Sequence, residues 1–236
     1  MHTIHTSPFF HTSNNRTPQL HLLIMSDTTK PTYHYWAGVA SRGHYLFYTL
    51  GYNGKLDDII VKGDQPYPGT PEWASGEGFT QSKMGQLPVL TDEGDVSIGQ
   101  GRAILNYLCK KFSIGQDLSL ADYGKSEELV EQANDIHNLL GKAHYGADRT
   151  VSMNEIFASG GPVEKVLNAY EDHVGGAVAP GHCCFAAALN LLVRLEPECL
   201  AKNPKIKAFY DEIQANEGIK TVNERCPYPY FKRNSN

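Results

Sequence analysis

A proline at the mouth of an apolar strand, with a glycine-flanked helix start fourteen residues on, constrains this chain most. The two runs are Gly85-Gln86-Leu87-Pro88-Val89-Leu90 and Gly99-Gln100-Gly101-Arg102-Ala103-Ile104-Leu105. Residues 87–90 read as a buried strand, yet Pro88 removes one ladder donor and belongs only at the strand's first residue. A cis bond before Pro88 would turn the N–H and C=O of Leu87 outward. That main-chain pair could then dock a peptide-like molecule in strand fashion. After the acidic turn Asp92-Glu93-Gly94-Asp95, Gln100-Gly101 opens an amphipathic helix whose free N–H groups favour an anion. Together the runs suit a small anionic peptide.

The rest of the chain narrows the classes. Its 236 residues suffice for one large or two modest cores. A net charge of −5 without a basic stripe argues against nucleic acid as partner. No apolar run approaches the roughly 20 residues that span a membrane. Five cysteines, Cys109, Cys183, Cys184, Cys199 and Cys226, are odd in number and fit core thiols in a reducing compartment. They form neither a Cys-x-x-Cys pair nor a metal-ligand spacing, so neither dithiol chemistry nor a metal site is expected. Residues 1–31 hold four of the ten histidines and no acid before Asp27. They read as a disordered or targeting extension, with Met25 as a natural second start and an organelle-targeting role for 1–24 the lesser expectation.

Periodicity gives the elements. Alternation predicts a strand over 32–36, and Tyr45, Leu46, Tyr48 and Leu50 a helix over 41–52. Asp57-Asp58-Ile59-Ile60-Val61 reads as a second strand. Residues 63–85, rich in Gly and Pro, read as a long loop. Strands at 87–90 and 96–98 precede a helix over 100–112, with Ile104, Leu105, Leu108 and Phe112 on one face. Beyond a linker at 113–122 everything reads as helix: 127–140, 163–174, 184–194, 205–215 and 219–225. The run 184–194 is apolar nearly all round and predicts the buried central helix. The division is thus 32–112, 113–122, 123–231 and a tail over 232–236.

The two opening runs resemble the glutathione site of the cytosolic glutathione transferases, in the tyrosine-type, sigma or prostaglandin D synthase-like group. The resemblance spans about residues 32–231. It implies an α/β thioredoxin-like N-terminal domain followed by an all-α C-terminal domain. It also implies glutathione as co-substrate without a further cofactor, an apolar electrophile as second substrate, a homodimer and a cytoplasmic setting. By this resemblance Tyr35 supplies the hydroxyl that stabilises the thiolate, with Tyr33 second in line. Gln86, Leu87 and Pro88 hold the cysteinyl-glycine part, and Gln100 and Gly101 hold the γ-glutamyl carboxylate. Trp73 and Lys83 flank the glycyl carboxylate, and Asp135 reaches a neighbouring subunit's γ-glutamyl amine.

Several positions depart from the family pattern. Gly101 stands where Ser is usual, and Lys83 is displaced by a longer loop. Arg42 lies one residue from the basic position expected after Tyr35. Cys184-Phe185-Ala186-Ala187 occupies the place of a Ser/Thr-x-x-Asp capping box, whose loss costs about 1 kcal/mol. Two other readings share the scaffold: a non-catalytic glutathione-binding or structural relative, and a glutathione-dependent isomerase of the prostaglandin D synthase kind.

Overall fold

The computed structural model describes residues 30–36, 38–63 and 81–234. A four-stranded mixed sheet in the order β3-β1-β4-β5 forms the first part. Strand β1 (Thr32–His34) runs parallel to β3 (Ile60–Lys62) and antiparallel to β4 (Val89–Asp92), which pairs with β5 (Val96–Gly99). Helix α1 (Arg42–Tyr52) connects β1 to β3, and α2 (Gly101–Lys111) follows β5. Leu90 on β4 and Ile104, Leu105 and Leu108 on α2 close the core between sheet and helices.

The second strand is shorter than the composition suggested. Leu56–Asp58 forms a 3₁₀ turn, closed by Asp58 N–H on the Lys55 carbonyl at 3.1 Å, and extended pairing begins only at Ile60. Leu56 is buried, so the turn is anchored before the chain straightens, while Ile60 and Val61 lie exposed on the sheet edge. The strand expected over 87–90 begins two residues later, because Pro88 has no N–H to give the ladder, and the Leu87-Pro88 peptide is cis.

Six helices make the remainder of the described residues: α3 (Leu120–His144), α4 (Arg149–Phe157), α5 (Pro162–Tyr170), α6 (Pro180–Leu195), α7 (Pro204–Ala215) and α8 (Glu217–Arg225). Helix α3 starts seven residues before the apolar periodicity does, because Ser119 caps it: its Oγ accepts from Asp122 N–H at 3.1 Å. Helix α4, which the apolar pattern did not mark, is capped by Asp148 accepting from Val151 N–H at 3.0 Å. Helix α6 is the central one, with Gly181 through Leu192 all buried.

Helix α6 begins at Pro180, so Cys184 lies in its second turn and not at its cap. The missing capping box is replaced from two sides. Ala179 N–H donates to His182 Nδ1 at 3.1 Å, and Gly181 N–H donates to Ser126 Oγ of α3 at 2.9 Å. Helix-end donors need an acceptor but not a local one.

The C-terminal segment returns to the first part. Strand β6 (Tyr228–Pro229) runs parallel to β2 (Val39–Ala40), just before α1. Residues 232–234 are tethered: Lys232 N–H donates to His144 Nδ1 at 3.2 Å, and Arg149 reaches the Asn234 carbonyl at 3.3 Å. No helix among the described residues is long and apolar enough to cross a membrane.

Candidate active site

Most of the expected ligand residues meet in one cleft of about 660 Å³. Lys83, Gln86, Leu87 and Pro88 enter from the loop before β4, and Gln100 and Gly101 from the start of α2. Opposite them stand Arg42 and Tyr45 of α1 and Val130 and Asn134 of α3. Local backbone explains the aim of two of these residues. Ser82 Oγ accepts the N–H of Gln86 at 2.9 Å and fixes the loop. Gln100 sits at the N-cap of α2 with φ +71°, a left-handed conformation that costs an ordinary residue energy, and its exposed side chain caps nothing. Leu87 has no main-chain hydrogen bond to the protein among the described residues.

The cleft is electropositive. Arg42, Lys83 and Arg102 line it, with no carboxylate among the described lining residues. Arg102 is held by Glu127 and Glu131 of α3, whereas Arg42 donates only to the neutral Asn138 Oδ1, at 2.7 Å. Gly101 opens onto free space: a Cβ built there meets nothing within 4 Å.

Tyr35 lies in an adjoining cavity of about 580 Å³ that shares Arg42 and Leu87 with the first. Trp36 and Ser41 line it from the first part, His137 and Lys142 from α3, and Tyr230 and Phe231 from the returning tail. Burial pushes the Tyr35 phenol up, against opposing effects of the Ser41 hydroxyl, the Gly43 and Arg42 N–H groups and the Arg42 charge. Tyr33 is only 1% exposed and lines neither cavity, which removes the second candidate from the ligand space. Its hydroxyl has no partner among the described residues, and burial raises it well above the usual phenol range.

Asp135 is not brought into the cleft. It is exposed on α3 and near enough to Tyr170 to act on it electrostatically. Its neighbour Asn134 is the one that lines the cleft, because one residue along a helix is a rotation of about 100°. Trp73 lies outside the described residues, as does the extension through residue 29. Cys183 and Cys184 are fully buried, and burial pushes the Cys184 thiol up to about 12, so both sit as core thiols. Among the described residues no group of His, Cys, Asp or Glu could hold a metal ion.

Sequence reasoning missed Ser41, His137, Asn134 and Lys142. The three α3 residues show themselves only once the helix register is fixed.

No protein-family model matches the chain. It is 28% identical over 149 residues to a glutathione S-transferase of Dirofilaria immitis, covering 60% of this chain and 71% of that one. The Pi-class glutathione S-transferase of Onchocerca volvulus superposes with a TM-score of 0.69 at 20% identity, over 85% of this chain and 97% of that one. The prostaglandin synthase D of Nilaparvata lugens superposes with a TM-score of 0.66 at 20% identity, over 85% of this chain and all (100%) of that one. In sequence the chain resembles the glutathione transferases, and its fold, a thioredoxin-like sheet domain followed by a helical domain, is theirs.

Proposed function

We propose that the chain is a glutathione transferase that activates the thiol through Tyr35 and adds it to apolar electrophiles. One observation carries the reading. Gln86, Leu87, Pro88, Gln100 and Gly101 converge on a positive cleft that shares two walls with the cavity holding Tyr35. In that cleft the cysteinyl main chain pairs with Leu87 and the γ-glutamyl carboxylate meets the α2 N-terminus. The thiol then faces the shared wall of Arg42 and Leu87. Burial keeps the Tyr35 phenol protonated at neutral pH, so it can donate to a thiolate. The Arg42 charge favours the same anion. The thiolate lone pair forms the new S–C bond, and a leaving group departs with its electron pair or a proton completes an addition.

The direct test is conjugation of glutathione to chlorodinitrobenzene by the full chain. The reading expects a saturable rate well above background; a rate equal to background contradicts it. The likeness to a prostaglandin synthase D fold keeps a second reading, a glutathione-dependent isomerase using the same thiol site. A homodimer in the cytoplasm goes with either reading, and Asp135, exposed on α3, is free to face a second chain.

Two further outcomes follow from the cleft walls. Gly101→Ser places a hydroxyl donor beside the α2 N-terminus in space that is open. It should tighten glutathione about tenfold, the scale of one hydrogen bond to a charged group, as calorimetry would read. Unchanged or weaker binding would remove the γ-glutamyl group from that helix end. The second cavity is aromatic but carries Arg42 and Lys142, with no carboxylate among the described lining residues. Among apolar aromatic acceptors, one that also bears a carboxylate should therefore be preferred. Lys142→Met should lower the kcat/KM ratio of 4-chloro-3,5-dinitrobenzoate to its methyl ester by about two- to fivefold, as expected for an exposed ion pair. An unchanged ratio would show that Lys142 does not meet the acceptor.

A further inference from the structure

Ser41 and His137 each forgo an ordinary interaction beside Tyr35. Ser41 is the N-cap of α1, where a serine hydroxyl normally accepts from its own helix, yet it makes no such bond. Its Oγ instead meets His137 Nε2 at 3.0 Å, across 96 residues and from the helical part of the fold. His137 is buried among Tyr45 and Phe231, with ring centroids 6.3 and 4.9 Å away, and its Nδ1 has no partner among the described residues. Burial, then the Arg42 charge, pushes its pKa down to about 3, so the imidazole is neutral. A lost cap and an orphaned ring nitrogen at one place are the kind of local cost that collects at functional sites.

Tyr35 stands beside them. Tyr35, Ser41 and His137 line one cavity, and a Cβ built on Gly43, two residues after Ser41, would stand 2.9 Å from the Tyr35 ring. The Ser41 hydroxyl and the N–H groups of Arg42 and Gly43 favour the phenolate against its burial.

We propose that Ser41 and His137 are positioning residues that wire Tyr35 as a donor: His137 Nε2–H donates to Ser41 Oγ, Ser41 O–H donates to Tyr35 Oη, and Tyr35 O–H donates to the thiolate. No proton changes owner along the chain. Each bond polarises the next. The neutral Nε2–H tautomer leaves Nδ1 as a bare acceptor. The inference rests on Tyr35 as the activating hydroxyl, so its first test needs no glutathione. Among the described residues, the titratable groups around Tyr35 are Tyr33 on β1, Arg42 and Tyr45 on α1, His137 and Lys142 on α3, Tyr145 just after α3, and Tyr230 of the tail.

The experiment is the titration of Tyr35 in the full chain with ring-labelled tyrosine, read by carbon NMR. Ser41→Ala and His137→Leu should each lower the Tyr35 acid dissociation constant about three- to tenfold, the scale of one hydrogen bond. The double variant should match the singles, and His137→Gln, which keeps a donor at the Nε2 place, should restore the wild-type titration. The rate of glutathione conjugation should fall by the same factor where Tyr35 is present and not where it is Phe. A Tyr35 titration that ignores both variants overturns the proposal. So does a shift in His137→Leu that His137→Gln fails to reverse, which would leave packing as the only role. Activity that survives Tyr35→Phe but is lost in Ser41→Ala would move the hydroxyl to Ser41 and overturn both readings. Absence of any transferase activity would overturn the functional reading alone, since the titration still decides the wiring.

Discussion

Tyr35→Phe should slow glutathione conjugation about fivefold at pH 6.5, and the order should reverse above about pH 8. The argument starts from the free thiol, with a pKa near 8.5. Lowering it by about two units takes roughly 2.7 kcal/mol of preferential thiolate stabilisation. A buried phenol is suited to this, because burial raises its own pKa and the proton stays on oxygen while it donates to sulfur. Without the hydroxyl, the thiolate fraction falls about fiftyfold at pH 6.5 and about a hundredfold at lower pH. A more basic thiolate is also a better nucleophile, with a Brønsted slope of about 0.4–0.5, which returns about tenfold. The net loss is therefore about fivefold at pH 6.5. Once the thiol is ionised in both proteins, only the nucleophilicity difference remains, and the variant becomes the faster. Rates that run parallel across pH 6–9.5 would show that Tyr35 does not set the thiol's ionisation.

The largest effect on stability is expected from Gly181→Ala. Gly181 lies in the first turn of α6, where that helix presses on the α3 backbone. A Cβ at this position would stand 1.9 Å from the Ser126 carbonyl oxygen and 2.6 Å from its carbon, so backbone and not a flexible side chain must move. The same shift stretches the bond from Gly181 N–H to Ser126 Oγ, which replaces the absent cap of α6. Overpacking costs about 1–3 kcal/mol and a buried hydrogen bond about 1 more. A total near 3 kcal/mol would lower Tm by about 6–12 °C in a protein of this size. Gly124→Ala on the same α3 helix is the control, since its Cβ meets nothing within 4 Å. It should leave Tm unchanged or raise it slightly through helix propensity. Equal Tm for both variants and the parent would contradict the close approach of α3 and α6.

Local sequence carried much of the fold. The Gln86-Leu87-Pro88 run and the Gln100 helix start, fourteen residues apart, marked the entry to β4, the α2 N-terminus and the cleft between them. A run apolar nearly all round marked α6, because Gly181 through Leu192 are all buried. Features that depend on distant partners were not legible. The cap of α6 comes from Ser126, 55 residues away, and the Ser41 hydroxyl turns to a histidine 96 residues away. Helix phase was a second limit. Asp135 and Asn134 differ by one step, and only the folded register decides which of them faces the cleft. The start of β3 failed for a local reason: Leu56 is buried first, so a 3₁₀ turn occupies positions whose composition reads as strand.

The most direct test of the account is a glutathione titration of the full chain followed through backbone amide NMR. The account predicts saturable binding, with the strongest shifts at Gln86, Leu87, Gln100 and Gly101 and along the first turn of α2. No saturable shift at those amides up to millimolar glutathione, or shifts confined to another face, would contradict it.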